Sequence, residues 1–206
     1  MTRRLMALVT LAFLALSGAA FAQNAEDIDT SGIKDMSIGN PDATVTVIEY
    51  ASFTCPHRAA FHADSFKKLK ADFIDTGKIN FINREIYFDR FGLWAGITAR
   101  CGENAENRYF GIIDMMYEQQ RDWANSGNPP EVIVEKLRTI GKTAGLTDAD
   151  LDACFQDGDR AQALYATYLK NSEADGVQAT PSFVINGELH RNMPYEDLKA
   201  LIESML

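Results

Sequence analysis

Val45-Thr46-Val47-Ile48-Glu49-Tyr50-Ala51-Ser52-Phe53-Thr54-Cys55-Pro56-His57-Arg58 is the stretch on which the reading of this chain turns. Thr44 to Tyr50 is rich in β-branched residues and predicts a buried strand. From Cys55 to about Phe73, the residues Ala59, Phe61, His62, Phe66, Leu69 and Phe73 recur at helical spacing. Gly77 closes that element, and Asn40-Pro41-Asp42 marks a turn before the strand. Ile79 to Phe88 then alternates apolar with polar positions and predicts a second strand. Strand, helix and strand in this order predict a β-α-β unit with a right-handed parallel crossover. A cysteine, followed by Pro-His, sits at the junction of its first strand and its helix.

Downstream the pattern changes. Gly92 to Cys101, Tyr109 to Trp123, Pro130 to Ala144, Thr147 to Phe155 and Asp159 to Asp175 all read as helices. Asn128-Pro129-Pro130-Glu131 is a helix start with Pro in the first turn. Thr147-Asp148-Ala149-Asp150 offers an N-cap and first-turn acids. Strand signals return at Ser182-Phe183-Val184-Ile185. Asn186-Gly187 is a two-residue hairpin turn, Glu188-Leu189-His190 the return strand, and Pro194 to Leu206 an amphipathic helix. The chain has no internal repeat and no low-complexity tract.

The first residues carry a targeting pattern: Arg3 and Arg4, an apolar run from Leu5 to Leu16, and Ala20-Phe21-Ala22 before Gln23. The run is short for a membrane span, which needs about 20 residues. It predicts a secretory signal (1–22) cut after Ala22, with no lipid anchor, and a periplasmic protein with no membrane insertion after cleavage. Residues 23–35 are polar, acidic and aperiodic, and predict a flexible tail. Removing residues 1–22, with two Arg and no acids, moves the net charge from −9 to −11. That balance argues against nucleic acid or an anionic membrane surface as partner. The remaining 184 residues suffice for one domain, or for a domain with a large insert. Three cysteines in an exported chain leave one thiol over.

At Phe53-Thr54-Cys55-Pro56-His57, followed far downstream by Ala179-Thr180-Pro181-Ser182-Phe183-Val184-Ile185-Asn186-Gly187, the chain resembles the DsbA-like thiol–disulfide oxidoreductases. The resemblance covers nearly the whole chain after the signal. Cys-Pro-His alone is a weak sign; with the Thr-Pro strand at this distance it is a strong one. It implies an α/β thioredoxin-like fold (β-α-β … β-β-α) with an all-helical insertion domain. The expected boundaries are 36–90 and 176–206 for the thioredoxin-like domain, and 91–175 for the helical insertion. It further implies a Thr180-Pro181 bond in cis facing Cys55, with the Thr180 backbone free to pair with an extended substrate. Cys101 and Cys154 resemble the structural disulfide that some members carry in the helical domain; two free buried thiols are the alternative.

Disulfide exchange needs a thiolate. A helix N-terminus favours one through its unpaired N–H groups and the positive end of its dipole. Cys55 is expected there as the nucleophile. Pro56 fits the first turn without losing a needed donor, and His57 and Arg58 add positive charge or donors that lower the thiol pKa. Arg58 stands where a dithiol enzyme of the resembled family carries its second Cys, and a cation is disfavoured at a helix N-terminus. Three readings are open: a monothiol enzyme resolved by a partner or a glutathione-like thiol, a redox-inactive relative that binds unfolded chains through the same groove, and an altered dithiol enzyme. One base can separate Cys from Arg codons.

The reading adopted is an exported thiol–disulfide oxidoreductase acting through Cys55 on secreted or periplasmic proteins. Its redox partner would be a membrane protein or a low-molecular-weight thiol. The rival is a holdase or binding module; a one-Cys peroxidase is weaker, since partners for a peroxide are not visible. Glu49, at the end of the buried strand, is expected either to transfer protons and raise the thiol pKa or to be a rim carboxylate. Tyr87, Phe91 and Trp94 are expected in the core, and His190 is expected to face solvent. No cofactor is implied, because sulfur does the chemistry. No metal is expected either: Cys55 and His62 share a helix face, but His57 points elsewhere and no further ligand stands at metal spacing.

Overall fold

A computed structural model describes residues 28–206. The expected signal segment and residues 23–27 of the expected tail lie outside the described residues. Five strands form one mixed sheet in the order β1-β3-β2-β4-β5. The strands are β1 (Met36–Gly39), β2 (Val45–Ala51), β3 (Ile79–Glu85), β4 (Ser182–Ile185) and β5 (Glu188–Arg191). β2 and β3 run parallel, with Val45 opposite Ile79 and Glu49 opposite Asn83. β4 lies antiparallel on the other side of β2, with Glu49 opposite Phe183. β2 is therefore the central strand, and its residues from Glu49 to Ala51 are all buried.

The crossover between β2 and β3 is a continuous helical stretch over residues 56–74. It begins as α1 (Pro56–Phe61), passes through a π-helical turn (His62–Phe66) into α2 (Lys67–Leu69), and ends in a second π-helical turn (Lys70–Ile74). The helical block follows: α3 (Arg90–Ala99), α4 (Ala105–Glu118), α5 (Gln120–Trp123), α6 (Pro130–Thr143), α7 (Asp148–Gln156) and α8 (Gly158–Ala174). The chain then returns to β4 and β5 and closes with α9 (Tyr195–Glu203). This is the thioredoxin-like fold with a helical insertion that the element order implied.

Two large apolar clusters make up most of the core, with two smaller ones around Tyr50 and Tyr87. Phe61, Phe66, Leu69, Phe73, Phe81, Phe183, Leu198 and Ile202 pack the crossover helix and α9 on the sheet. Tyr109, Ile112, Met116, Trp123, Leu137 and Leu151 form the centre of the helical block, to which Phe53 from the Cys55 loop also belongs. α7 starts on a capping box, Thr147 and Asp150 bonding each other's backbone N–H. Asn186 (φ 48°) and Gly187 (φ 89°) make the β4–β5 turn in the left-handed region their residue types tolerate.

Four local expectations need correction. β1 falls on Met36-Ser37-Ile38-Gly39, between the expected tail and the Asn40-Pro41-Asp42 turn, where the sequence predicts no element; it pairs antiparallel to β3 at the sheet edge. The flexible tail does not reach Asp35, because Arg84 donates to both Asp35 carboxylate oxygens (2.9 and 2.8 Å) and Arg100 donates to the Lys34 carbonyl (2.8 Å). β3 stops at Glu85, and Ile86 to Asp89 lead into α3. The predicted helix from Tyr109 to Trp123 is broken at Gln119, between α4 and α5.

Buried charge ties the insertion to the sheet. Arg100 at the end of α3 donates to both oxygens of Glu85 on β3 (2.6 and 2.8 Å), and the Tyr109 hydroxyl, with its one proton, lies 2.7 Å from both Glu85 Oε1 and Asn83 Oδ1. Burial alone would lower the Arg100 pKa, but the Glu85 carboxylate more than reverses it. Among the described residues no helix is long and apolar enough to cross a membrane.

Candidate active site around Cys55

The site forms where central strand β2 runs out. Ser52, Phe53 and Thr54 turn the chain, with the Cys55 N–H donating to the Ser52 carbonyl (3.2 Å). Cys55 is extended (φ −79°, ψ 117°) and is the N-cap of α1, with Pro56 in the first turn. Pro suits this place because the first helical N–H has no carbonyl to reach. The Cys55 carbonyl accepts from Arg58 and Ala59 N–H at 3.1 and 3.2 Å, starting the helix. The thiol is half-buried and is the free cysteine among the described residues.

Opposite it stands the loop before β4, 125 residues along the chain. The Thr180–Pro181 peptide is cis. Cys55 Sγ lies 3.5 Å from the Thr180 carbonyl oxygen. Pro181 is buried and Thr180 half-buried. His57, next to Cys55 on the helix, is exposed.

Arg58 does something the sequence did not suggest. It was expected to lend charge to the thiol; instead its side chain turns inward and is fully buried. Its Nε lies 2.5 Å from Glu49 Oε1, both side chains 0% exposed. The guanidinium lies over the Tyr117 ring (4.3 Å to the centroid), with the Phe61 and Phe66 rings at 5.3 and 5.5 Å. The pairing is one of distance and charge: neither group has an aligned hydrogen bond. Three aromatic faces supply attraction to a desolvated cation. A cation disfavoured beside the helix dipole is thus carried away from it, toward a carboxylate below.

Glu49 is no rim carboxylate. Burial pushes its carboxyl up to about 7, although the Arg58 guanidinium acts the other way. The Tyr117 hydroxyl is raised above the usual phenol range, by burial first, with Arg58 opposing. His62, one turn beyond Arg58, stacks on Phe66 and Tyr117 at 5.0 Å each, and its Nε2 lies 3.1 Å from Asp114 Oδ1.

Cys101 and Cys154 are joined as a disulfide, with Cα atoms 5.8 Å apart, pinning the end of α3 to α7 inside the insertion. Tyr87 is buried, Phe91 and Trp94 are partly buried against the helical core, and Phe88 is 57% exposed. His190 is half-buried rather than solvent-facing, with Nε2 enclosed. Among the described residues no group of three His, Cys, Asp or Glu side chains is placed to hold a metal ion.

Two residues at the site escaped sequence reasoning. Asp89 caps α3, accepting from Phe91 and Gly92 N–H (2.8 and 2.9 Å), and its second oxygen accepts from Thr54 Oγ1 at 2.6 Å. An Asp just ahead of the helical run that starts at Arg90 was an available capping signal. Gln120 Nε2 donates to the carbonyls of Phe53 (2.7 Å) and Cys55 (3.0 Å). Nothing local in Glu118-Gln119-Gln120 announced that contact.

Comparison with known proteins agrees with this architecture. A family model described as Thioredoxin matches residues 31–204. A Rickettsia bellii protein, provisionally named a protein-disulfide oxidoreductase, is 33% identical over 172 residues, covering 84% of this chain and 64% of that protein. This chain therefore spans somewhat under two thirds of that relative's length. Disulfide bond formation protein D of Bacillus subtilis is 24% identical over 175 residues, covering 82% of this chain and 76% of that one. The crystal structure of Wolbachia pipientis alpha-DsbA1 superposes with a TM-score of 0.75 at 26% identity, covering 84% of this chain and 91% of that one. Cys55 at the helix head, the Thr180–Pro181 loop before it and the helical insertion beside it are thus carried by a chain that belongs to the thioredoxin family and is DsbA-like in its architecture.

Proposed function

We propose that this protein is exported and exchanges thiols and disulfides on secreted or periplasmic proteins through Cys55 alone. The observation that carries the reading is the placement of one free sulfur at the N-cap of α1, 3.5 Å from the Thr180 carbonyl. The Cys55 thiolate attacks one sulfur of a substrate disulfide. A bond from Sγ to that sulfur forms, the old S–S bond breaks, and the other substrate sulfur leaves as a thiolate. Arg58 brings no sulfur, so the mixed disulfide waits for an external thiolate from a low-molecular-weight thiol or a membrane redox partner. That thiolate takes over the bond to the substrate sulfur or to Sγ. Pro56 and His57 shape the rim, and Thr180 and Pro181 border the approach of an extended substrate chain. Glu49, held against Arg58 with its carboxyl pushed up to about 7, is placed to exchange a proton near neutral pH. Export rests on the pattern of residues 1–22.

A second reading, a redox-inactive protein that binds extended chains in the same groove, is favoured by Arg58 itself. One measurement separates them: a glutathionylated peptide is expected to be turned over by the mature protein, with Cys55 passing through a mixed disulfide. Binding of the peptide with no turnover would sink the enzyme reading. Arg58→Cys tests the altered-dithiol reading: oxidation of a reduced peptide by that variant alone means the native site has lost its resolving thiol and little else.

A further inference from the structure

Gln120 is buried, 6% exposed, and its amide nitrogen spends both N–H groups on the reactive loop. We propose that Gln120 is a positioning residue for Cys55, and that through it the helical insertion holds the thiol in its working orientation. The inference rests on Cys55 being the reacting group, as proposed above.

The geometry is specific. A primary amide nitrogen has two donors, and here two carbonyls, Phe53 and Cys55, take one each. Rotating the amide by half a turn would set its oxygen against both carbonyls, so only one orientation is tolerated. The Cys55 carbonyl already accepts from the Arg58 and Ala59 N–H groups. Gln120 therefore grips the atom that starts the helix. The Phe53 side chain is itself buried and stacks on Tyr117 at 5.7 Å, which fixes the loop residue whose carbonyl Gln120 holds.

The break in the α4–α5 helix exists at this point. α4 ends at Glu118, Gln119 leaves helical geometry (φ −100°, ψ 10°), and α5 restarts at Gln120. Trp123, fully buried, fastens the two pieces by donating from its indole nitrogen to the Met116 carbonyl at 2.8 Å. The offset sends Gln120 toward the loop. On the opposite side, Asp89 at the head of α3 holds Thr54. That contact is exposed and competes with water, whereas the Gln120 contacts are buried at the Phe53 carbonyl and part-buried at the Cys55 carbonyl. Losing Gln120 releases the loop toward solvent and lets the Cys55 sulfur leave the place where the helix N-terminus and the Thr180 carbonyl define it.

The test uses the mature protein with Gln120→Leu and Gln120→Glu. Three readouts are taken: the pH profile of Cys55 alkylation, amide hydrogen exchange at residues 53–59, and the melting temperature. Gln120→Leu is expected to speed exchange of the Arg58 and Ala59 amides by about tenfold or more and to change the pH profile of Cys55 alkylation. Gln120→Glu has one O–H donor when protonated and none when ionised, so it is expected to fall between the native chain and Gln120→Leu at low pH and to be at least as disruptive as Gln120→Leu once it ionises; it keeps the test alive if the Leu variant folds poorly. A lower melting temperature with unchanged alkylation profile and unchanged local exchange would overturn the proposal, leaving Gln120 a packing residue. An ordinary free-thiol midpoint in the native protein would instead count against the exchange function, and the exchange of Arg58 and Ala59 amides would still decide the role of Gln120.

Discussion

Replacing Arg58 by Met keeps a long apolar stem over Tyr117, Phe61 and Phe66 and deletes the charge beside Glu49. The pair is expected to give the native protein a pH slope of its own. The Glu49 carboxyl stands at about 7 in the folded chain against 4.5 for an ordinary glutamate. Between those values the folded state keeps a proton that the unfolded state has lost, so stability from this group falls as pH rises, by about 3 kcal/mol in total. Above pH 7 the slope ends. Without Arg58, nothing offsets the burial of the carboxylate, and the Glu49 pKa climbs beyond 7. At pH 8, Arg58→Met should then cost on the order of 3–5 kcal/mol, the usual cost of stripping one partner from a buried pair. Part of any loss comes from the cation on the aromatic faces, up to about 2 kcal/mol, but that part does not depend on pH. Urea unfolding at pH 5 to 9 separates the two: Arg58→Met should show its slope extended above pH 7. The double variant Arg58→Met/Glu49→Gln should lose that slope and recover most of the stability. Arg58→Met losing under about 1 kcal/mol at pH 8, with the native slope unchanged, would refute the ion-pair argument.

Other measurements bear on the rest of the molecule. The Cys101–Cys154 bridge spans 53 residues, and closing such a loop contributes about 4 kcal/mol in the chain-entropy treatment. Cys101→Ala/Cys154→Ala should lower urea-unfolding stability toward that amount, and alkylation of the unreduced, unfolded native chain should label Cys55 only; three labelled cysteines would remove the bridge. Gly96 on α3 leaves no room for a methyl group, since a Cβ there would meet the Tyr87 hydroxyl at 2.5 Å and its ring at 2.7 Å. With Tyr87 buried, Gly96→Ala should destabilise the fold by roughly 1–3 kcal/mol, and a melting temperature equal to the native one would show that Tyr87 moves aside freely.

The nearest-neighbour content of the chain determined a good deal on its own. Apolar periodicity marked β2, the crossover helix, β3 and the insertion helices, because each buries one face and must repeat with its own geometry. The Asn186-Gly187 turn and the Thr147–Asp150 cap were legible for a similar reason: their hydrogen bonds close within a few residues. Cys55 at the helix head followed from the strand–Cys–Pro order alone. β1 was not legible, because four residues at a sheet edge carry little pattern and borrow their order from β3. The tail was misread up to Asp35 since its partners, Arg84 and Arg100, lie 49 and more residues away.

The same divide runs through the site. Sequence placed Arg58 at the mouth of the site, since it judged the residue by its chain neighbours and by the helix dipole. Tertiary structure turned it inward, because Glu49 from β2 and Tyr117 from α4 together make a place where a buried cation has a counter-ion and an aromatic floor. Gln120 and Asp89 reach the loop from 65 and 35 residues away, and neither contact leaves a local trace. Hydrogen bonds and charge pairs that close over such distances depend on where whole elements pack, and no window of sequence contains that information.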